Sequence, residues 1–182
     1  MAVAEPRPPD PSRPRYSDRP FPSYRFVPGQ SPHPRRDPRG HSFEQAEPGP
    51  ILLPPGEWRR SNEYLYGIDL YNHAYWWECH EVFERLWHEA GHETEQGNFF
   101  KAIIQLAAMN LKCFIGNHQA AENLALSGIT RLEMVPDSYM GVDVAGLIEE
   151  LRQRTARSHW YAPSIRLDVP DRESGEALIS GQ

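Results

Sequence analysis

Between His73 and His92 the chain places four of its 8 histidines, His73, His80, His88 and His92, in a stretch that also carries Glu78, Glu81 and Glu84. At 100° per residue, a helix through this stretch puts His73, His80, Glu84 and His88 within an arc of roughly 80°. Trp76, Cys79, Phe83, Leu86 and Trp87 form the adjoining apolar stripe. An imidazole and a carboxylate one turn apart, as in His80 and Glu84, can point at a common position. Deprotonated nitrogen and oxygen donors at about 2.0–2.2 Å suit a divalent metal, zinc or similar. Two ligands do not complete a site. His73 or His88 from the same face, or His33, His41 or His118 from elsewhere, are the further candidates.

The same pair can work without a metal, because a carboxylate beside an imidazole tunes it near neutral pH for acid–base chemistry. The run His80-Glu81-Val82-Phe83-Glu84 also compares with the zinc-protease pattern H-E-x-x-H, with Glu81 at the general-base position and Glu84 in place of the second histidine. His80, Glu81 and Glu84 are therefore the catalytic candidates of a metal-dependent hydrolase. No third-ligand phrase follows in register, and no nucleophile or oxyanion device accompanies them. Trp77, Trp87 and Gln105 are the candidate ligand-binding side chains around the pair. The competing reading is structural: His80 and Glu84 form a hydrogen-bonded lock where the first two helices and the N-terminal segment meet, Trp87 is packing, and Gln105 is an internal hydrogen-bonder. Glu78, Arg85 and Glu89 fall on the outer arc and read as a solvated face.

These residues need helices to hold them. Ser61 or Asn62 can cap a first helix that runs to Gly91, with Gly67 marking a break near its start. Phe99, Phe100, Ile103, Ile104, Ala107, Ala108, Leu111 and Phe114 repeat at i, i+3, i+4 spacing and predict a core helix from about 98 to 115. Gly116-Asn117 supplies a left-handed stop, and a third helix follows directly over 118–132, so the two form an antiparallel hairpin. A fourth helix is expected over about 142–155. No alternating apolar pattern demands a sheet, and Ile165-Arg166-Leu167-Asp168-Val169 is too short and isolated to build one. The expected fold is all-α, a compact antiparallel bundle of four to five helices.

Fifteen of the 18 prolines precede residue 56. That segment cannot sustain helix, yet Tyr16, Phe21, Tyr24, Phe26 and Phe43 are spaced along it as if to dock. We expect residues 1–56 to be a proline-rich segment, extended or partly disordered, with 20–45 its ordered strap, 57–160 the helical domain, and 161–182 an irregular tail. Residues 1–50 carry eight Arg against six acidic residues, so the formal net charge of −6 leaves −8 for the remainder. An acidic body argues against nucleic acid as a partner. An amphipathic helical hairpin can bury its second face on another subunit, so a homodimer is one expectation. Cys79 and Cys113 fall among apolar residues on helices, as buried thiols of a reducing cytoplasm do. No apolar run reaches the roughly 18 residues that span a bilayer.

His80-Glu81-Val82-Phe83-Glu84-Arg85-Leu86-Trp87 has the form H-x-x-x-E-x-x-W and lies within the longer phrase Trp77-Glu78-Cys79-His80-Glu81. Ile103-Ile104-Gln105-Leu106-Ala107-Ala108 follows at a matching distance. Together, over about residues 65–135, they resemble the family grouped as domain of unknown function 309, in which Ala is more usual at the position of Cys79. Tyr24-Arg25-Phe26-Val27-Pro28-Gly29 resembles the extension of its longer members. The resemblance implies a compact antiparallel helical domain and assigns it no reaction.

Overall fold

Ser61 opens the first α-helix by accepting a hydrogen bond from the backbone N–H of Tyr64 through its side chain, and α1 runs over Asn62–Asn72. In the computed structural model, which describes residues 5–8, 10–46, 48–157 and 161–168, this helix is preceded by a 3-10 turn at Pro55–Arg60. Four more follow: α2 over Trp76–Ala90, α3 over Glu95–Phe114, α4 over His118–Leu132 and α5 over Val144–Ala156. The mostly helical bundle is the expected one, with one strand pair among the described residues, β1 (Ser138–Tyr139) antiparallel to β2 (Val142–Asp143). Met140 and Gly141 turn that hairpin with positive φ. Val142 thus lies in β2, and Asp143 caps α5 by accepting from Gly146 N–H.

The single helix expected from Asn62 to Gly91 is two helices. Gly67 does not break it; the break is at Ala74, whose φ is +64°. Tyr75 N–H donates to Leu70 O at 2.9 Å and Ala74 N–H to Tyr71 O at 3.4 Å, the pair of bonds that closes a helix when the residue after its cap turns left-handed. Gly116 ends α3 in the same way, with Asn117 N–H on Lys112 O and Gly116 N–H on Cys113 O. Gly67 serves a different need. A Cβ there would lie 2.6 Å from Cε2 of Phe83, so its absence lets α1 and α2 approach.

Helix α3 is the centre of the core, with α2 along one side and α4 along the other. Phe99, Phe100, Ala102, Ile103, Leu106 and Ala107 are each no more than 1% exposed. The N-terminal strap lies across α1 and α2. Phe21 stacks on Tyr75 at 4.7 Å, and Phe26 and Val27 are buried. Buried polar groups fasten it. The carboxylate of Asp69, 1% exposed, accepts from the backbone N–H groups of Tyr16 and Ser17 at 2.8 and 2.9 Å. Residues 161–168 return over the same helices without regular structure. Asn72 both donates to Ile165 O and accepts from Ile165 N–H at 2.8 Å, Asn110 accepts from Ala162 N–H, and Tyr16 Oη accepts from Leu167 N–H. Val169 and the remainder of the expected C-terminal tail lie outside the described residues. None of the described helices is long and apolar enough to cross a membrane.

Candidate functional site

The break at Ala74 divides the histidines. His73 caps the C-terminus of α1 and packs its ring against Phe21 of the strap at 5.1 Å, so it is not on the face of α2 that the continuous helix would have given it. On α2, Trp77, His80, Glu84 and Trp87 recur at i, i+3, i+7, i+10 and form one half-exposed stripe beside the core. His80 Nδ1 lies 4.0 Å from Glu84 Oε2. The indole of Trp77 stacks on the His80 ring at 6.0 Å and 19°. Burial holds the His80 imidazole below its ordinary pKa of 6.5; Glu84 offsets part of that shift and Lys101 adds to it. His80 is therefore neutral at neutral pH, with one ring nitrogen able to donate and the other to accept.

The facing stripe is Lys101, Gln105, Ala108 and Lys112 on α3. Lys101 Nζ sits 4.0 Å from the centroid of the Trp87 ring. The helices are antiparallel, and Trp76 meets Phe114 while Trp87 meets Lys101. Gln105, one turn past Lys101, is thus level with Glu84 and His80. Its Nε2 donates to Ser127 Oγ of α4 at 2.5 Å, the internal hydrogen bond expected of it, but its Oε1 is buried without a partner. Three neighbours share that condition: Trp77 Nε1, His80 Nδ1 and Trp87 Nε1 are each buried and meet no hydrogen-bond partner among the described residues.

The other expected ligands go elsewhere. His88 Nδ1 lies 3.1 Å from His92 Nε2, and His92 stacks on Trp87 at 3.9 Å. Glu81 turns toward the strap, 3.8 Å from Arg35. His41 belongs to the strap and is enclosed between it and α2, its Nε2 at 2.9 Å from Glu78 and its Nδ1 at 2.8 Å from Ser42 Oγ. Accordingly, no group of three or more His, Cys, Asp or Glu residues among those described is placed to hold one metal ion. His80 and Glu84 come together; His73, His88 and His41 do not join them.

Glu78 corrects a second expectation. It is not on a solvated face but 4% exposed, accepting from Phe26 N–H and pairing with His41. With Asp69 and Asn72 it forms the set of buried groups that fastens strap and C-terminal segment. The strap accounts for the difference: a segment laid over α2 converts part of its outer arc into interior, and a lone carboxylate there then meets the strap's unpaired N–H groups.

A family model described as domain of unknown function (DUF309) matches residues 64–124. No curated protein matches the chain. The matched stretch holds α2 and α3 entire, with His80, Glu84, Trp87 and Gln105 on their shared face, and over that stretch the chain is similar to the DUF309 family.

Proposed function

We propose that this is a helical ligand-binding domain that takes a small polar molecule on the α2–α3 face, against Trp77, His80, Glu84, Trp87 and Gln105. One observation carries the reading: four polar atoms of that face, two indole N–H groups, an imidazole nitrogen and an amide carbonyl, are buried and unpartnered together. Each such group costs about 1–3 kcal/mol, and their grouping on one stripe supplies two donors, one acceptor and one group that is either. An elongated molecule with an acceptor near each indole, about 15 Å apart along α2, and a donor for Gln105 satisfies them at once. Glu84 and Lys101 add one charge of each sign at the edge.

The locking role is filled by other residues, since Asp69, Asn72 and Glu78 hold the strap and the C-terminal segment. A metal between His80 and Glu84 has less support. Their 4.0 Å separation is wider than the ~3.4 Å that two tetrahedral ligands of zinc subtend, and among the described residues no third acidic, His or Cys ligand stands by.

Native mass spectrometry of the untagged chain, with elemental analysis and melts of the His80→Ala and Gln105→Ala variants, tests this. We expect a one-to-one small-molecule adduct that both variants lose, with no stoichiometric metal. Stoichiometric zinc lost in His80→Ala would replace the reading with a metal site. No adduct and no metal, with both variants melting lower, would make the face a structural seam.

A further inference from the structure

Glu78 uses only half of its carboxylate. Oε1 accepts from Phe26 N–H at 2.9 Å and lies 2.9 Å from His41 Nε2, while Oε2 is buried with no partner. The side chain is 4% exposed and lines a cavity of about 160 Å³ between strap and α2, together with His41, Ser42, Gln45, Arg19, Glu81 and Arg85. A carboxylate so enclosed retains the desolvation cost of its idle oxygen unless a donor enters the cavity. The volume equals that of roughly five water molecules at ~30 Å³ each, which admits a molecule of about as many non-hydrogen atoms.

Charge narrows the class. The lining holds two carboxylates, Glu78 and Glu81, and two guanidinium groups, Arg19 and Arg85. A simple cation or anion gains at one end and loses at the other, whereas a molecule bearing both charges gains at both. Arg19 is the group placed to meet its negative end. Arg19 is exposed, its guanidinium carbon lies 4.3 Å from the centroid of the Tyr66 ring, and it has no carboxylate partner among the described residues. We propose that this cavity under the strap binds a small amino-acid-like zwitterion, its ammonium on Glu78 Oε2 and its carboxylate on Arg19. The cavity is separate from the α2–α3 face and does not depend on the function proposed for that face.

The test is an NMR titration of the full chain with glycine and with L-alanine, beside methylammonium chloride and sodium acetate as single-charge probes. The reporters are the backbone amides of Phe26, which donates to Glu78, and Ser42. We expect saturating shifts with both amino acids, at an affinity about tenfold above either single-charge probe, since each added charge-assisted hydrogen bond contributes about that factor. Arg19→Gln should lose about tenfold for glycine and keep its melting temperature, because that side chain lies outside the core. Glu78→Gln places an amide donor where the ammonium must sit and should abolish binding. No saturating shift with glycine or L-alanine, equal binding of methylammonium or acetate, or an unaltered glycine titration in Arg19→Gln would each overturn the proposal. The Arg19 variant decides the matter even if Glu78→Gln loosens the strap.

Discussion

Replacing Gly67 with alanine sets two known effects against each other. Alanine inside a helix is favoured over glycine by about 1 kcal/mol, so a helix considered alone would gain. In the structure the added methyl meets Phe83 at 2.6 Å from Cε2, 2.9 Å from Cζ and 3.2 Å from Cδ2. Phe83 has little freedom to retreat. It is 0% exposed, with Tyr64 edge-on at 6.1 Å and Phe100 at 5.7 Å. Overpacking a full core costs about 1–3 kcal/mol, and a 2.6 Å contact on a boxed ring belongs to the upper part of that range. We therefore expect Gly67→Ala to lose about 1–2 kcal/mol net, or about 3–6 °C in melting temperature for a domain of this size. Urea unfolding followed by circular dichroism measures it. Gly56→Ala, where a Cβ meets nothing within 4 Å, is the control and should stay within about 0.5 kcal/mol of wild type. Phe83→Leu combined with Gly67→Ala should show a favourable coupling of at least ~0.5 kcal/mol, because the smaller side chain makes room for the methyl. If Gly67→Ala melts at or above the wild type, propensity outweighs the contact and the close-approach argument is wrong.

Two further predictions concern the segments laid over the helices. Asn72→Leu leaves both the N–H and the C=O of Ile165 without their buried partner, for a loss of about 2–4 kcal/mol; limited proteolysis should cut within 161–168 faster than in wild type, and an unchanged cleavage rate would refute the link. Burial lowers the His73 pKa below its ordinary 6.5, with Asp69 partly opposing and the charges of Arg15 and Arg25 assisting. The unfolded chain then binds the proton more readily than the folded one, so this contribution favours folding above pH 6.5 and is lost as the pH falls below it. In melts taken from about pH 8 to pH 5, His73→Gln should show a smaller acid-induced drop than wild type, and an identical slope would contradict the assignment.

The two left-handed helix ends show what was legible. Gly116 and Ala74 close α3 and α1 with the same pair of hydrogen bonds. At Gly116 the residue type announces the stop; at Ala74 nothing in the residue does, because the strain of a left-handed alanine is offset by tertiary packing around a fully buried methyl. The core helix α3 and its hairpin with α4 were readable, since long amphipathic periodicity and a glycine stop depend only on nearby residues. The positions of His73 and Glu78 were not. His73 is displaced by the break at Ala74, and Glu78 depends on the strap, since a solvent-facing arc read from periodicity becomes interior when a distant segment covers it. The pairing of His80 with Glu84 was legible because it needs only one turn of helix. The departure of His88 toward His92, and of His41 toward Glu78, required the coordinates.

The carboxylates that hold the strap belong to helices made later in the chain. Tyr16 and Ser17 wait on Asp69, and Phe26 waits on Glu78, each separated by more than 50 residues. At a synthesis rate of 5–20 residues per second, that leaves the strap without its anchors for about 3–10 s. Its density of prolines suits that interval, since a proline-punctuated segment neither nucleates a helix nor offers a continuous strand edge to another nascent chain. Only when residues 161–168 arrive, and Leu167 donates to Tyr16 across 151 residues, is the strap joined to the last described part of the chain. The strap, made before the helices that anchor it, is thus fixed only after them, and loss of residues 161–168 should be felt at Tyr16.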